Sequence, residues 1–236
     1  MATKGENKTL KRLNAPPVRK ILRKTAVFTV KGKPGAHKKS LSVPLGFAVR
    51  DLMGIVSSMR EARFVLSSGY IKVNGKIVKE PKLPIGLFDV IEFIKRNQKF
   101  RAMFDRKGRI EFTEINPKKE LTKYVKITGK KMNKKGAVQL STNDGRVFLE
   151  KKTDLNVGDS MQIKLPEQKV MEKVQLKEGA KAYLISGRHV GRKAVVKKVL
   201  SGTQRRQALI ELQEGDSTFQ TAARNIIIVG AEKEAA

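Results

Sequence analysis

Residues 69–79, GYIKVNGKIVK, set an aromatic ring among cations, a mix of residue types that suits an anionic ligand. Asn74-Gly75 can take the positive φ angles of a type I′ turn. That turn pairs Val73 with Lys76, Lys72 with Ile77, Ile71 with Val78 and Tyr70 with Lys79. One face of the hairpin then holds Ile71, Val73 and Val78, with Lys76 beside the turn. The opposite face holds Tyr70, Lys72, Ile77 and Lys79, and that face is where a ligand is expected.

Catalytic chemistry finds little support. The segment Gly32-Lys-Pro-Gly-Ala-His-Lys-Lys-Ser40 has the glycine, lysine and hydroxyl of a phosphate cradle but not its spacing. The chain has no cysteine, so it has no thiolate zinc site, disulfide or sulfur nucleophile. His37 and His189 are far apart and lack ligand-spaced neighbours, and both are expected at the surface of basic loops. Carboxylates such as Glu150 and Glu172 stand beside lysines, where solvated ion pairs explain them at least as well as acid-base catalysis. The expectation is no enzyme, no metal, no cofactor and no small-molecule substrate.

Several elements must hold the cationic groups in place. Ser58-Met-Arg-Glu61 is a capping box and predicts a helix from Met59, stopped by Gly69. At 100° per residue Met59, Ala62, Val65 and Leu66 face inward, while Arg60, Arg63 and Ser67 face outward. Residues 41–96 read as two short helices followed by the hairpin. The preceding 1–40 read as a basic arm, with twelve Lys or Arg and one acid. Within the arm, Pro17–Lys24 is expected as a two-turn amphipathic helix, and the arm is expected to order only on binding. Its lysine-rich, serine-poor makeup, broken by Pro16 and Pro17, argues against a cleaved transit peptide.

Beyond Asn97 the pattern turns all-β, with strands over KFRAMFD and RIEFTEI and near Val125, Val138, Val147 and Met161. Gly129–Gly136 is expected as a cationic loop. Residues 97–170 form a central β domain in this division, 171–230 a small glycine-punctuated β module, and 231–236 a tail. The fold class is α+β and multidomain.

Lys and Arg total 51 against 22 acids, a formal charge of +29, with the excess on the arm, the helix-hairpin module and the 130s loop. That footprint indicates a nucleic-acid binder. No helix is long and basic enough to be an obvious major-groove reader, which favours RNA over DNA. No window approaches a spanning helix, and the one basic amphipathic segment lacks Trp and Phe anchors, so a membrane partner is not expected.

Ser58-Met-Arg-Glu-Ala-Arg63, then Gly69–Lys76, then Gly86-Leu-Phe-Asp-Val-Ile91 resemble the αL RNA-binding module of several ribosomal proteins, pseudouridine synthases and tyrosyl-tRNA synthetases. The resemblance implies an RNA surface of Ser58, Arg60, Arg63, Lys72, Asn74, Gly75 and Lys76. Lys181–Lys197 resembles a KOW motif, with Gly191 at its characteristic glycine and Ala194 where a second glycine is frequent. The full order of segments, with LKRLNAP, PGAHK, GLFDVI and NIIIVG, is similar to the archaeal and eukaryotic family of small-subunit ribosomal proteins numbered four of the e class. That likeness implies a KOW-type barrel at the C-terminal end. It also implies a cytoplasmic, non-catalytic constituent of the small subunit, bound to small-subunit rRNA and neighbouring proteins and not a homo-oligomer. The arm (Lys8, Lys11, Arg12, Arg19, Lys20, Lys38, Lys39) and the last unit (Arg188, Arg192, Lys193) complete the expected RNA-binding set. An RNA-binding transcription-elongation or RNA-modification factor is the alternative.

Overall fold

The computed structural model describes residues 9–117, 121–133, 136–200, 202–203, 207–215 and 217–230. It is mostly β with few helices and divides into two compact units. The first holds the described residues up to 103 together with 109–117, and the second holds 104–108 together with those from 121 onward.

The first unit opens with β1 (Leu10–Lys11) paired to β2 (Phe28–Thr29), then β3 (Val43–Pro44). Leu45–Phe47 (α1) runs into a wider π turn over Ala48–Leu52, and α2 spans Met59–Ser67. Strands β4 (Ile71–Val73) and β5 (Lys76–Ile77) make the expected hairpin; β6 (Pro84–Ile85) pairs with β3. With β7 (Val90–Phe93), β8 (Gln98–Phe104) and β9 (Ile110–Ile115) the hairpin completes an antiparallel sheet ordered β5-β4-β7-β8-β9. Leu45, Phe47, Leu66, Ile71, Ile85, Ile91 and Ile110 are fully buried. Each such side chain stabilises the unit by about 1.5–3 kcal/mol.

The second unit contains two five-stranded antiparallel sheets. In the first, β10 (Thr122–Met132) lies between β11 (Val138–Thr142) and β13 (Ser160–Lys164), with β12 (Val147–Glu150) and β14 (Lys169–Val174) at the edges. Its core is Val125, Ile127, Leu140, Leu155, Met161, Ile163 and Leu165. In the second, β15 (Lys181–Leu184), β16 (Lys193–Leu200), β17 (Leu209–Glu214), β18 (Ser217–Ala222) and β19 (Ile226–Val229) run in the order β18-β17-β16-β15-β19. They enclose Leu184, Val196, Ile210, Leu212, Ile226 and Ile228.

Several expectations are corrected here. Pro17–Lys24 forms no helix: the Val18 carbonyl accepts from Ile110 N at 3.0 Å, and Leu22 stays 74% exposed, so no apolar stripe is buried along an axis. The described arm packs onto the first unit: Leu10, Ala15 and Val18 are buried in it and Lys33 N donates to Lys82 O at 2.9 Å. Gly129–Met132 continue strand β10 by pairing with β11 and are not loop; residues 134–135 lie outside the described set. Strands β8 and β9 join the sheet of β4, β5 and β7, and β14 ends the central sheet at Val174.

Candidate nucleic-acid interface

Helix α2 begins where its cap dictates. Ser58 Oγ accepts from Glu61 N at 3.2 Å, and Glu61 Oε2 accepts from the amides of Ser58 (3.4 Å) and Ser57 (3.0 Å). The Ser57 amide and hydroxyl, then the Ser58 amide, hold the Glu61 carboxyl below its ordinary value. The one acid of α2 is thereby committed to the helix start, where its charge also favours the dipole. Ala62 and Leu66 are buried, and Arg60 and Arg63 are exposed, as the wheel requires. Phe64, 67% exposed, was not singled out from the sequence; its place next to Arg60 on the outward side of the wheel was the available signal.

The hairpin keeps its register, Lys72 opposite Ile77 and Val73 opposite Lys76, around Asn74 (φ 52°) and Gly75 (φ 79°). Lys76 and Ile77 are exposed and Lys72 half-buried, with Glu92 its partner on β7. Glu92 lies in turn opposite Lys99, whose ammonium is 3.6 Å away. Lys95 Nζ sits 3.9 Å from the Tyr70 ring centroid, so that ring already carries a cation.

The Asn74 side chain is engaged within the fold. Its Nδ2 donates to Asp89 Oδ1 (2.8 Å) and its Oδ1 accepts from Val90 N (3.0 Å), which bolts the turn to β7. Asp89, 2% exposed, also accepts from Gly86 N at 2.8 Å and from His37 Nε2 at 2.8 Å through Oδ2. His37 is therefore not a surface residue of a basic loop. Its side chain is 9% exposed, and its ring fills the space above Gly86. The PGAHK, VNGK and GLFDVI segments meet in this one network, and Asn74 belongs with the supports.

The remaining candidates separate. Lys11, Lys20, Lys38 and Lys39 are exposed, with Lys20 paired to Glu111 at 3.2 Å, and Arg12 is half-buried. Lys8 lies outside the described residues. Arg19 is corrected: it is 3% exposed and donates to the Val30 carbonyl at 2.7 Å. Desolvation brings its pKa down to about 10. Its charge braces the arm and cannot face a phosphate.

In the second unit Arg188 and Lys193 are exposed, while Arg192 pairs with Glu214 at 2.8 Å. His189 there stacks on Phe219, ring centroids 4.1 Å apart, so it too is held in the fold. Among the described residues no group of three His, Asp or Glu side chains could hold a metal ion, and no helix is long and apolar enough to cross a membrane.

Comparison with known proteins fits this geometry. The S4 domain description matches residues 52–91, which hold α2, the hairpin and Asp89; the RS4NT (NUC023) domain matches 4–40 and Ribosomal family S4e matches 96–170. The small ribosomal subunit protein eS4 of Methanocaldococcus jannaschii is 36% identical over 243 residues, covering 99% of this chain and 98% of that protein. The chain belongs to the eS4 family. The eS4 of Methanosphaera stadtmanae is 34% identical, covering 99% of this chain and 96% of that one. The crystal structure of the 30S ribosomal protein S4e from Thermoplasma acidophilum superposes with a TM-score of 0.71 at 29% identity, covering 82% of this chain and 97% of that chain. Within this eS4 chain, the S4 match coincides with the exposed arginines and the satisfied hairpin.

Proposed function

We propose that the chain is a structural, non-catalytic constituent of the small ribosomal subunit in the cytoplasm, bound to small-subunit rRNA and to neighbouring ribosomal proteins and not paired with itself. The observation that carries the reading is a division of labour in the first unit. The polar groups of the cap and of the turn are satisfied inside the protein, while Arg60, Arg63 and Lys76 are left outward on rigid supports. Such a surface neutralises phosphates and releases their counterions with little ordering cost. Lys72 joins it from its half-buried row, and Ser58 and Gly75 lie at the ends of the two elements that present it.

The 41–96 segment is the binding module of this reading, with β8 and β9 extending its sheet, and Lys11, Lys20, Lys38 and Lys39 add basic surface from the arm. Residues 181–197 are read as a KOW-type element of a small barrel that offers Arg188 and Lys193 as a further contact. Support comes from Gly191, whose φ is +79° and where a Cβ would lie 2.7 Å from the Asp105 carbonyl oxygen. Ala194 fits within the core of that sheet. Tethered modules act on one RNA at millimolar-range effective concentration where the linkers span the sites.

Crosslinking the protein to RNA in sedimented small subunits and sequencing the crosslinks tests this. Crosslinks should centre on 58–63 and 72–76. Their absence from both segments, with the protein still seated in the subunit, would overturn the placement.

A further inference from the structure

A cleft of about 320 Å³ opens in the first unit where β1 and β2 of the arm meet the start of α2. Four cations line it, Lys31, Arg50, Arg63 and Lys82, and no carboxylate is among its lining residues, although Arg50 is itself paired with Asp51 at 2.7 Å. Its other walls combine the hydroxyl-bearing Thr9 and Thr29 with apolar residues, Leu10, Met59 and Pro81 among them. At its rim stands Phe28, 56% exposed, with Lys11 opposite on the partner strand and so on the same face. Arg63 belongs both to this cleft and to the exposed face of α2, and among the described residues its guanidinium has no hydrogen-bond or ion-pair partner.

We propose that this cleft receives one unpaired nucleotide of the bound RNA, its base against the Phe28 ring and its phosphate between Arg63 and Lys82. The proposal rests on the RNA-binding reading and names a subsite of it. A cavity with cations and no acids selects an anion, and an exposed ring at its mouth selects a flat partner; a nucleotide supplies both. A duplex cannot enter a recess of this size, so the occupant is a base splayed out of its stack. Continuity through Arg63 makes the ligand a strand already running along α2 and not a free mononucleotide.

Two probes separate the possibilities with the full-length protein: a ten-nucleotide oligouridylate carrying one central 2-aminopurine, and a blunt RNA hairpin of equal charge. Seating of the base should quench 2-aminopurine emission. Phe28→Leu should weaken the oligonucleotide about tenfold, the scale of one lost base–aromatic stack, and leave the hairpin affinity unchanged. Phe28→Trp should restore it. Lys82→Gln, independent of the ring, should lower the salt slope by about 0.7 on the oligonucleotide alone.

Equal oligonucleotide affinities for wild type and Phe28→Leu, with both probes bound, would overturn the cleft proposal and leave the RNA reading intact. So would the same loss on both probes, and so would displacement of the oligonucleotide by AMP at its mononucleotide-equivalent concentration. If neither probe binds the wild-type protein, the RNA reading itself fails.

Discussion

Replacing Gly86 by Ala places a Cβ 2.3 Å from His37 Nδ1 and 2.4 Å from its Cγ. The φ of Gly86 is not positive, so the backbone itself tolerates alanine, and the nearest obstacle is the ring. The ring must withdraw by about 1 Å or more to reach ordinary contact, which breaks its 2.8 Å bond to the buried Asp89. Losing a hydrogen bond to a buried charged acceptor costs about 1.5–3 kcal/mol, and the displaced ring forfeits packing besides. Gly86→Ala and His37→Ala should thus each destabilise the first unit by about 3 kcal/mol.

The double mutant should cost little more than His37→Ala alone, because the space is then vacant, leaving a coupling energy of about 2–3 kcal/mol. Amide hydrogen exchange of β4 and β7 reads this unit without interference from the other. Additive costs in the double mutant would show that the ring is not what forbids a side chain at Gly86, and the clasp between arm and hairpin would be wrong. His37→Ala should also weaken RNA binding with an unchanged salt slope, since no phosphate contact is removed.

Ser58→Ala should cost about 1 kcal/mol and fray the first turn of α2, seen as faster exchange of the Glu61 amide; protection equal to wild type would contradict the capping role. Lys126, 7% exposed, donates to the carbonyls of Ala223 (2.6 Å) and Ile226 (2.8 Å) and is brought by desolvation to a pKa of about 8. Its unfolded pKa is higher, so between about pH 8 and 10.5 the unfolded chain holds a proton that the fold lacks, and stability should rise across that window. In Lys126→Met this contribution, at most about 3 kcal/mol, should vanish, read as the difference between wild-type and variant urea midpoints at pH 7.5 and 10. A variant that keeps the full rise would refute the assignment.

Features that depend on near neighbours were legible before the structure. The capping box acts over three residues and the Asn74-Gly75 turn over two, so α2, the hairpin register and the outward arginines followed from residue types alone. Roles set by distant partners were not. His37 meets Asp89 across 52 residues of chain, and Arg19 is buried by a fold whose strands are not marked in its own segment. Lys130 and Lys131 lie in an overhanging part of β10 with both faces exposed to solvent, so no apolar alternation announced a strand. Alternation identifies β8 and β9 as strands without saying which sheet edge they join.

In the proposed reading, outward cations on satisfied supports neutralise RNA phosphates. The most direct test is the affinity of full-length wild type and of Arg60→Ala/Arg63→Ala for small-subunit rRNA across a salt series. Two lost phosphate contacts should reduce the slope of log affinity against log salt by about 1.4 to 1.8, with the melting temperature unchanged. An identical slope and affinity in the folded double mutant would contradict it.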